Sequence, residues 1–69
     1  MNQNSKRIIA QNVEKLRRER KITKEAMSLA LGFDNSYVSK LEKEKINITI
    51  EKLDKIADYL NISTKELFN

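Results

Sequence analysis

Gly32 is the only glycine in this 69-residue chain, and there is no proline. These two residue types are the strongest local breakers of helix. With one of the first and none of the second, the chain is free to be helical wherever its apolar residues recur at helical spacing. Ile9, Val13 and Leu16 are spaced by four and three. That spacing predicts a first helix from about Ser5 to Arg20, with Ile8 flanking its apolar stripe and Lys6, Arg7, Lys15, Arg18 and Arg20 on the other faces. The polar residues 1–4 before it are expected to fray.

The segment ITKEAMSLALG reads as a second, shorter helix. Thr23 is a natural N-cap, because its hydroxyl can accept from an unpaired backbone N–H of the first turn. Ile22 ahead of the cap can pack on Met27. Ala26, Met27, Ala30 and Leu31 make the expected buried face, and Gly32 ends the helix in the left-handed conformation that a side chain disfavours. A third helix is expected almost at once, capped by Asp34, burying Val38 and Leu41 with Phe33 leading in. Two short helices joined by about three residues centred on a glycine form a helix-turn-helix, spanning about 23–43.

Thr49 caps a predicted fourth helix with Ile50, Leu53, Ile56, Ala57 and Leu60 facing inward, and Asn61 supplies the left-handed end. Ser63 and Glu66 have the spacing of a capping box, which starts a fifth. The expected architecture is all-α: a compact bundle of five short helices in a single domain over 1–69.

A domain this small buries a modest core. With no Cys and no His, neither a disulfide nor a Cys/His zinc site is available, so stability must come from helix packing, with dimerisation as a further source. No metal, cofactor or small-molecule site can be argued, and the absence of Cys fits a reducing cytoplasm. No apolar run is long enough for a membrane span or a secretory signal. The acids lie among lysines on helix surfaces, there is no Gly-rich phosphate loop, and an enzyme is not expected.

The net charge of +4 is unevenly distributed. Residues 1–25 hold eight Lys/Arg against three Glu, whereas residues 46–69 hold three Lys against four acids. A basic front half beside a near-neutral back half suggests two faces with two jobs, nucleic acid being the natural partner of the first. A solvated lysine-rich surface is the plainer reading of charge alone.

The ordered pattern VEKLRRERKITKEAMSLALGFDNSYVSKLEKEK…TIEKLDKIADYLNISTKELF resembles the Cro/C1-type (XRE-like) helix-turn-helix family, over roughly residues 8 to 68. Within it, DNSYVSKLE and NITIEKLDKIADYLNIS are similar to restriction–modification controller proteins. The chain departs from the family at Lys24, where Gln is common, at Glu44, where Gly is common, at Ile48, where Pro is common, and at Ile46, where controllers often carry Arg.

The resemblance implies a lambda repressor-like domain that places its third helix in the major groove of double-stranded DNA. Carried onto this chain, the base-reading candidates are Asn35, Ser36, Tyr37 and Lys40. Asn pairs with adenine N6 and N7, Lys donates to guanine, Ser bonds several base edges, and Tyr37 bonds a phosphate or packs on a thymine methyl. Thr23, Lys24, Ser39, Lys43 and Lys45 are the phosphate candidates, with the capping role alone a sufficient explanation of Thr23. The family pairs an Arg late in the first helix with a Glu late in the third, which here implies an ion pair between Arg17 and Glu42 holding the recognition helix in place.

Family members often dimerise through their last two helices, so the resemblance implies a homodimer face within 48–69. Its candidates are Ile48, Tyr59, Ile62, Leu67 and Phe68. Ile62, Leu67 and Phe68 can instead close the monomer core; that reading suits Leu67, while Ile48 and Phe68 suit the interface. The implied function is that of a cytoplasmic, bacterial or phage-encoded transcriptional regulator, repressor or activator, acting on a pseudo-palindromic operator, with a restriction–modification operon as one candidate target. The competing expectation is an antitoxin or anti-repressor that uses the same fold to bind a protein.

Overall fold

In the computed structural model the backbone is described for residues 3–69 and the side chains from Ser5 onward. Four α-helices follow one another: α1 (Gln3–Glu19), α2 (Lys24–Ala30), α3 (Tyr37–Glu42) and α4 (Ile50–Leu60). A 3-10 helix over Thr64–Phe68 stands where a fifth α-helix is expected. There is no strand among the described residues. Of the residues expected to fray, Gln3 and Asn4 are already helical, and Met1 and Asn2 lie outside the described residues.

Each α-helix ends the same way. The chain turns through a left-handed residue, and two N–H groups reach back to the last carbonyls. After α2 the residue is Gly32 (φ 81°), with Gly32 N–H on Leu29 O and Phe33 N–H on Ser28 O, both 3.0 Å. The other three positions are not glycine: Lys21 (φ 57°), Glu44 (φ 60°) and Asn61 (φ 59°). The expected caps at the starts of α2, α4 and the 3-10 helix form. Thr23 Oγ1 accepts from Ala26 N–H at 3.0 Å, Thr49 Oγ1 from Lys52 N–H at 3.2 Å, and the Glu66 carboxylate from Ser63 N–H at 2.8 Å.

One core draws on every element. Ile9 and Val13 from α1, Met27 from α2, Val38 from α3, Leu53 and Ile56 from α4, and Leu67 from the 3-10 helix are fully buried. α2 packs on α3, α1 on α3, and the 3-10 helix on both α1 and α4. The Asn12 amide on α1 donates to the Leu67 and Asn69 carbonyls at 2.8 and 2.7 Å, pinning the last turn across the bundle.

The expected inward faces of α2 and α4 are each narrower than the spacing suggests. Ala26 and Ala30 are exposed, and so is Ile50, at 64%. These residues sit at the edges of their stripes, and a seven-residue helix meeting one neighbour buries only the centre of its face, here Met27 and Ser28. Leu29, on the outer side of α2, is 65% exposed.

Candidate nucleic-acid interface

The turn between α2 and α3 is longer than expected, because Asp34 does something other than cap a helix. Its Oδ1 accepts from both the backbone N–H (2.7 Å) and the hydroxyl (2.6 Å) of Ser36. This closes a small side-chain turn over 34–36, a habit of Asp that competes with helix. Ser36 therefore becomes the residue before the helix, and α3 begins at Tyr37. The two Ser36 bonds, the hydroxyl's first, hold the Asp34 carboxyl below its usual range. Asn35 lies exposed at the crest of this turn, ahead of the helix rather than on it.

Ser36 offers no side-chain cap to α3. The cap comes from α2 instead. The Ser28 hydroxyl, fully buried, accepts from Val38 N–H at 3.0 Å and donates to Lys24 O at 2.8 Å. One hydroxyl thus ties the first turn of α2 to the first turn of α3 and fixes their relative position.

Arg17 fixes the other end. Its Nε and Nη2 meet Glu42 Oε2 and Oε1 at 2.8 and 3.2 Å, and its Nη1 donates to Ile22 O at 2.8 Å. Both side chains are buried, 9% and 5% exposed. The hydrogen bond to Glu42 raises the guanidinium pKa further, against the desolvation that would lower it. A two-pronged Arg–carboxylate pair of this kind is geometrically specific as well as strong. It holds the last turn of α3 against α1.

With both ends held, α3 buries Tyr37, Val38 and Leu41 and turns Lys40 to solvent, with Ser39 half-buried. Asn35, Lys40, Lys43 and Lys45 are exposed along one run of the chain, and Ser36 is half-buried with its hydroxyl engaged by Asp34. Thr23 and Lys24 lie at the start of α2, Thr23 exposed and Lys24 half-buried, Thr23 being committed to its capping bond.

Tyr37 is a correction to the sequence reading. It is 9% exposed and belongs to the core, its ring centroid 4.5 Å from that of Phe33. Its hydroxyl is buried with no hydrogen-bond partner among the described residues, so it presents nothing to a groove in this conformation. Burial raises its pKa above the usual phenol value. The ring is drawn inward because α3 is short and Tyr37, Val38 and Leu41 are its only large apolar groups.

Two members of the expected dimer face are corrections too. Leu67 is fully buried and Ile48 is 9% exposed, both in the monomer core. For Leu67 this is the alternative that the sequence already favoured. Ile48 follows the loop after α3 directly onto Leu41 and Ile9, around a small cleft that Ile46 also lines. Tyr59 (37%) and Phe68 (40%) remain exposed, with Ile62 half-buried.

Ser28 was not singled out by the sequence reading, and neither were Lys52 and Lys55 of α4, which reach the aromatic pair of the turn. A lone serine inside an apolar stripe was the only available signal for the first; nothing local marks the lysines.

Comparison with known proteins agrees with this geometry. The helix-turn-helix family profile matches residues 13–67. An uncharacterised HTH-type transcriptional regulator, y4dJ, of Sinorhizobium fredii is 34% identical over 62 residues, 90% of this chain and 80% of that protein. Control protein C.MunI of a Mycoplasma species is 33% identical over 58 residues, 83% of this chain and 78% of that protein. Among solved structures, the restriction-modification controller protein C.AhdI from Aeromonas hydrophila superposes with a TM-score of 0.85 at 28% identity, covering 91% of this chain and 96% of its own.

Proposed function

The chain belongs to the Cro/C1-type helix-turn-helix family and is a DNA-binding transcriptional regulator; from that premise we propose that it reads a pseudo-palindromic operator as a homodimer. The observation that carries the proposal is the way α3 is held. Its first turn is fixed through Ser28 and its last through the Arg17–Glu42 pair, while Asn35 and Lys40 are left facing solvent. A rigid element bearing unengaged polar groups is what base-edge reading requires.

Asn35 and Lys40 are the base readers, and Ser36 reads only by exchanging its bond to Asp34. Lys43, Lys45 and Lys24 contact phosphates, with Ser39 and Thr23 contributing at the flanks. These contacts set register and make affinity fall with salt. The dimer forms through Tyr59, Phe68 and Ile62, three of the apolar groups of the back half that the monomer leaves at least partly uncovered. The bacterial cytoplasm, where operator DNA is found, is the setting that its bacterial relatives support. The names of C.MunI and C.AhdI support control of a restriction–modification operon as the setting.

The test is selection from a random duplex library at near-physiological salt, followed by sequencing. An enriched inverted repeat with half-sites about one helical turn, ~34–36 Å, apart is the expected result. A single enriched half-site rejects the dimer. Binding without enrichment that fades as salt rises rejects sequence reading altogether.

A further inference from the structure

Two lysines of α4 reach the turn that carries Asn35 and Ser36, and no carboxylate pairs with either among the described residues. Lys52 Nζ lies 5.2 Å from the centroid of the Phe33 ring and 5.1 Å from that of Tyr37. Lys55 Nζ lies 5.1 Å from the Phe33 centroid and donates to Leu31 O at 3.1 Å. A cation this close to a ring face is attracted by the negative charge of the π cloud. A cation at the end of a helix is favoured by the carbonyls that point there.

The contacts fall at both ends of one segment. Leu31 closes α2, Phe33 begins the turn, and Tyr37 opens α3. Asn35 and Ser36 lie between these points, and their conformation depends on how the flanking residues are held. The ring pair itself is tilted by 51°, leaving faces that the Lys52 ammonium approaches together. The Asp34–Ser36 turn is closed by its own side-chain bonds and runs into α3 through Tyr37 N–H on Asp34 O (3.1 Å) and Lys40 N–H on Ser36 O (3.0 Å). Its flanks are held to the bundle by Phe33 N–H on the Ser28 carbonyl, by Val38 N–H on the Ser28 hydroxyl, and by the Phe33–Tyr37 pair with the lysines on it.

We propose that Lys52 and Lys55 are positioning residues: by clamping Phe33, Tyr37 and the Leu31 carbonyl, they set the geometry of the 33–37 turn and so the base preference of Asn35. The inference rests on the base-reading role proposed for Asn35. It makes α4, which carries no base-reading residue, a determinant of sequence discrimination.

The experiment compares the wild type with K52M, K55M and K52R. Methionine keeps the length of the stem and removes the charge. Arginine keeps the cation and its affinity for ring faces. Dissociation constants are measured for the selected operator and for a random duplex of equal length over a range of salt. In a DNA-free arm, amide exchange is followed at residues 34–38.

In each Met variant the operator affinity is expected to fall about five- to tenfold, the size of one such contact. Random-duplex affinity and its salt slope stay unchanged, amide exchange over 34–38 quickens, and K52R restores both. Equal losses on operator and random duplex with a shallower salt slope overturn the proposal in favour of direct phosphate contacts. An unchanged ratio of operator to random affinity also overturns it. A wild type with no operator preference refutes base reading by Asn35. Unchanged exchange in K52M and K55M refutes the clamp, whichever way the DNA result falls.

Discussion

The Ser28 hydroxyl accepts a hydrogen bond from Val38 N–H and passes one on to Lys24 O, so the cap of α3 is a side chain of α2. The bond is buried, and removing its acceptor leaves a backbone donor with no water to turn to. Ser28→Ala is therefore expected to cost about 1–3 kcal/mol, the usual penalty of an orphaned buried donor. Ser28→Thr keeps the acceptor and should cost less. Urea unfolding of the two variants measures both values. Equal, negligible losses would mean that α3 is capped from elsewhere.

The Arg17–Glu42 pair makes a different prediction for each way of breaking it. Glu42→Ala leaves a buried guanidinium with only Ile22 O for company, at an expected cost of about 3–5 kcal/mol. The double change Arg17→Met with Glu42→Leu removes both charges and should recover most of that loss. A double variant no more stable than Glu42→Ala, judged by its urea midpoint, would show that the pair is more than a neutralised burial.

Glu44 stands in the left-handed region at φ 60°, where a side chain is strained and glycine is not. Its one ion pair, with Arg7 at 3.7 Å, is partly exposed and worth little. Glu44→Gly is expected to stabilise the fold by roughly 0.5–1 kcal/mol. The opposite change at the equivalent turn, Gly32→Ala, meets no atom within 4 Å of the added methyl. It should destabilise by about 1 kcal/mol through backbone strain alone. Thermal melts of the two variants should move in opposite directions.

Tyr37 carries a buried hydroxyl with no protein partner among the described residues, and its pKa is raised by burial. Tyr37→Phe removes that hydroxyl while keeping the ring, and near neutral pH it should be neutral or stabilising by up to ~1 kcal/mol. The pH dependence has a definite sign. The folded form holds its proton more tightly than the unfolded chain, so the stability linked to this group is complete below the unfolded value near ~10 and is lost as pH rises through the folded one. The wild type should lose stability above that pH faster than Tyr37→Phe. Parallel pH profiles would count against the buried placement.

Base and phosphate contacts separate in their salt dependence. Asn35→Ala and Lys40→Ala should each cost about 1–3 kcal/mol on the selected operator, with relaxed preference at one position. Lys43→Ala and Lys45→Ala should weaken all sequences alike, lowering the salt slope by about 0.9 for each phosphate lost. Titrations on operator and mutated operator over a salt series distinguish the two classes. Uniform loss from Asn35→Ala would remove it from the readers.

The elements that could be read from the chain are those with local causes. Thr49, Asn61 and the Leu53–Ile56–Leu60 stripe define α4 without help from the rest of the molecule, and Thr23 with Gly32 do the same for α2. The Arg17–Glu42 pair came from family resemblance, since no spacing joins residues 25 apart. Asp34 was assigned to a cap because a cap and a side-chain turn place the same residue at the same offset; only the bond to Ser36 separates them. Tyr37 and Ile48 are expected outside because the family resemblance assigns the one to a base-reading position and the other to an interface, and neither assignment weighs the burial of the particular side chain. Their burial depends on partners far along the chain: Lys52 on the Tyr37 ring, Ile9 beside Ile48. The last segment, expected as an α-helix from its capping box, is a 3-10 helix packed on α1 and α4.

The hydrogen bonds from Asn12 to Leu67 and Asn69 join residues 55 and 57 positions apart. The contacts between α2 and α3, by comparison, close over about ten residues. Loop-closure entropy grows with the length enclosed, so the helix-turn-helix can assemble early, and the seam between α1 and the final turn is suited to form last. The segment proposed to read DNA is then locally organised before the chain is locked. In the reverse direction, detachment of the 3-10 helix is the natural first opening event, exposing Leu67 while the α2–α3 pair persists.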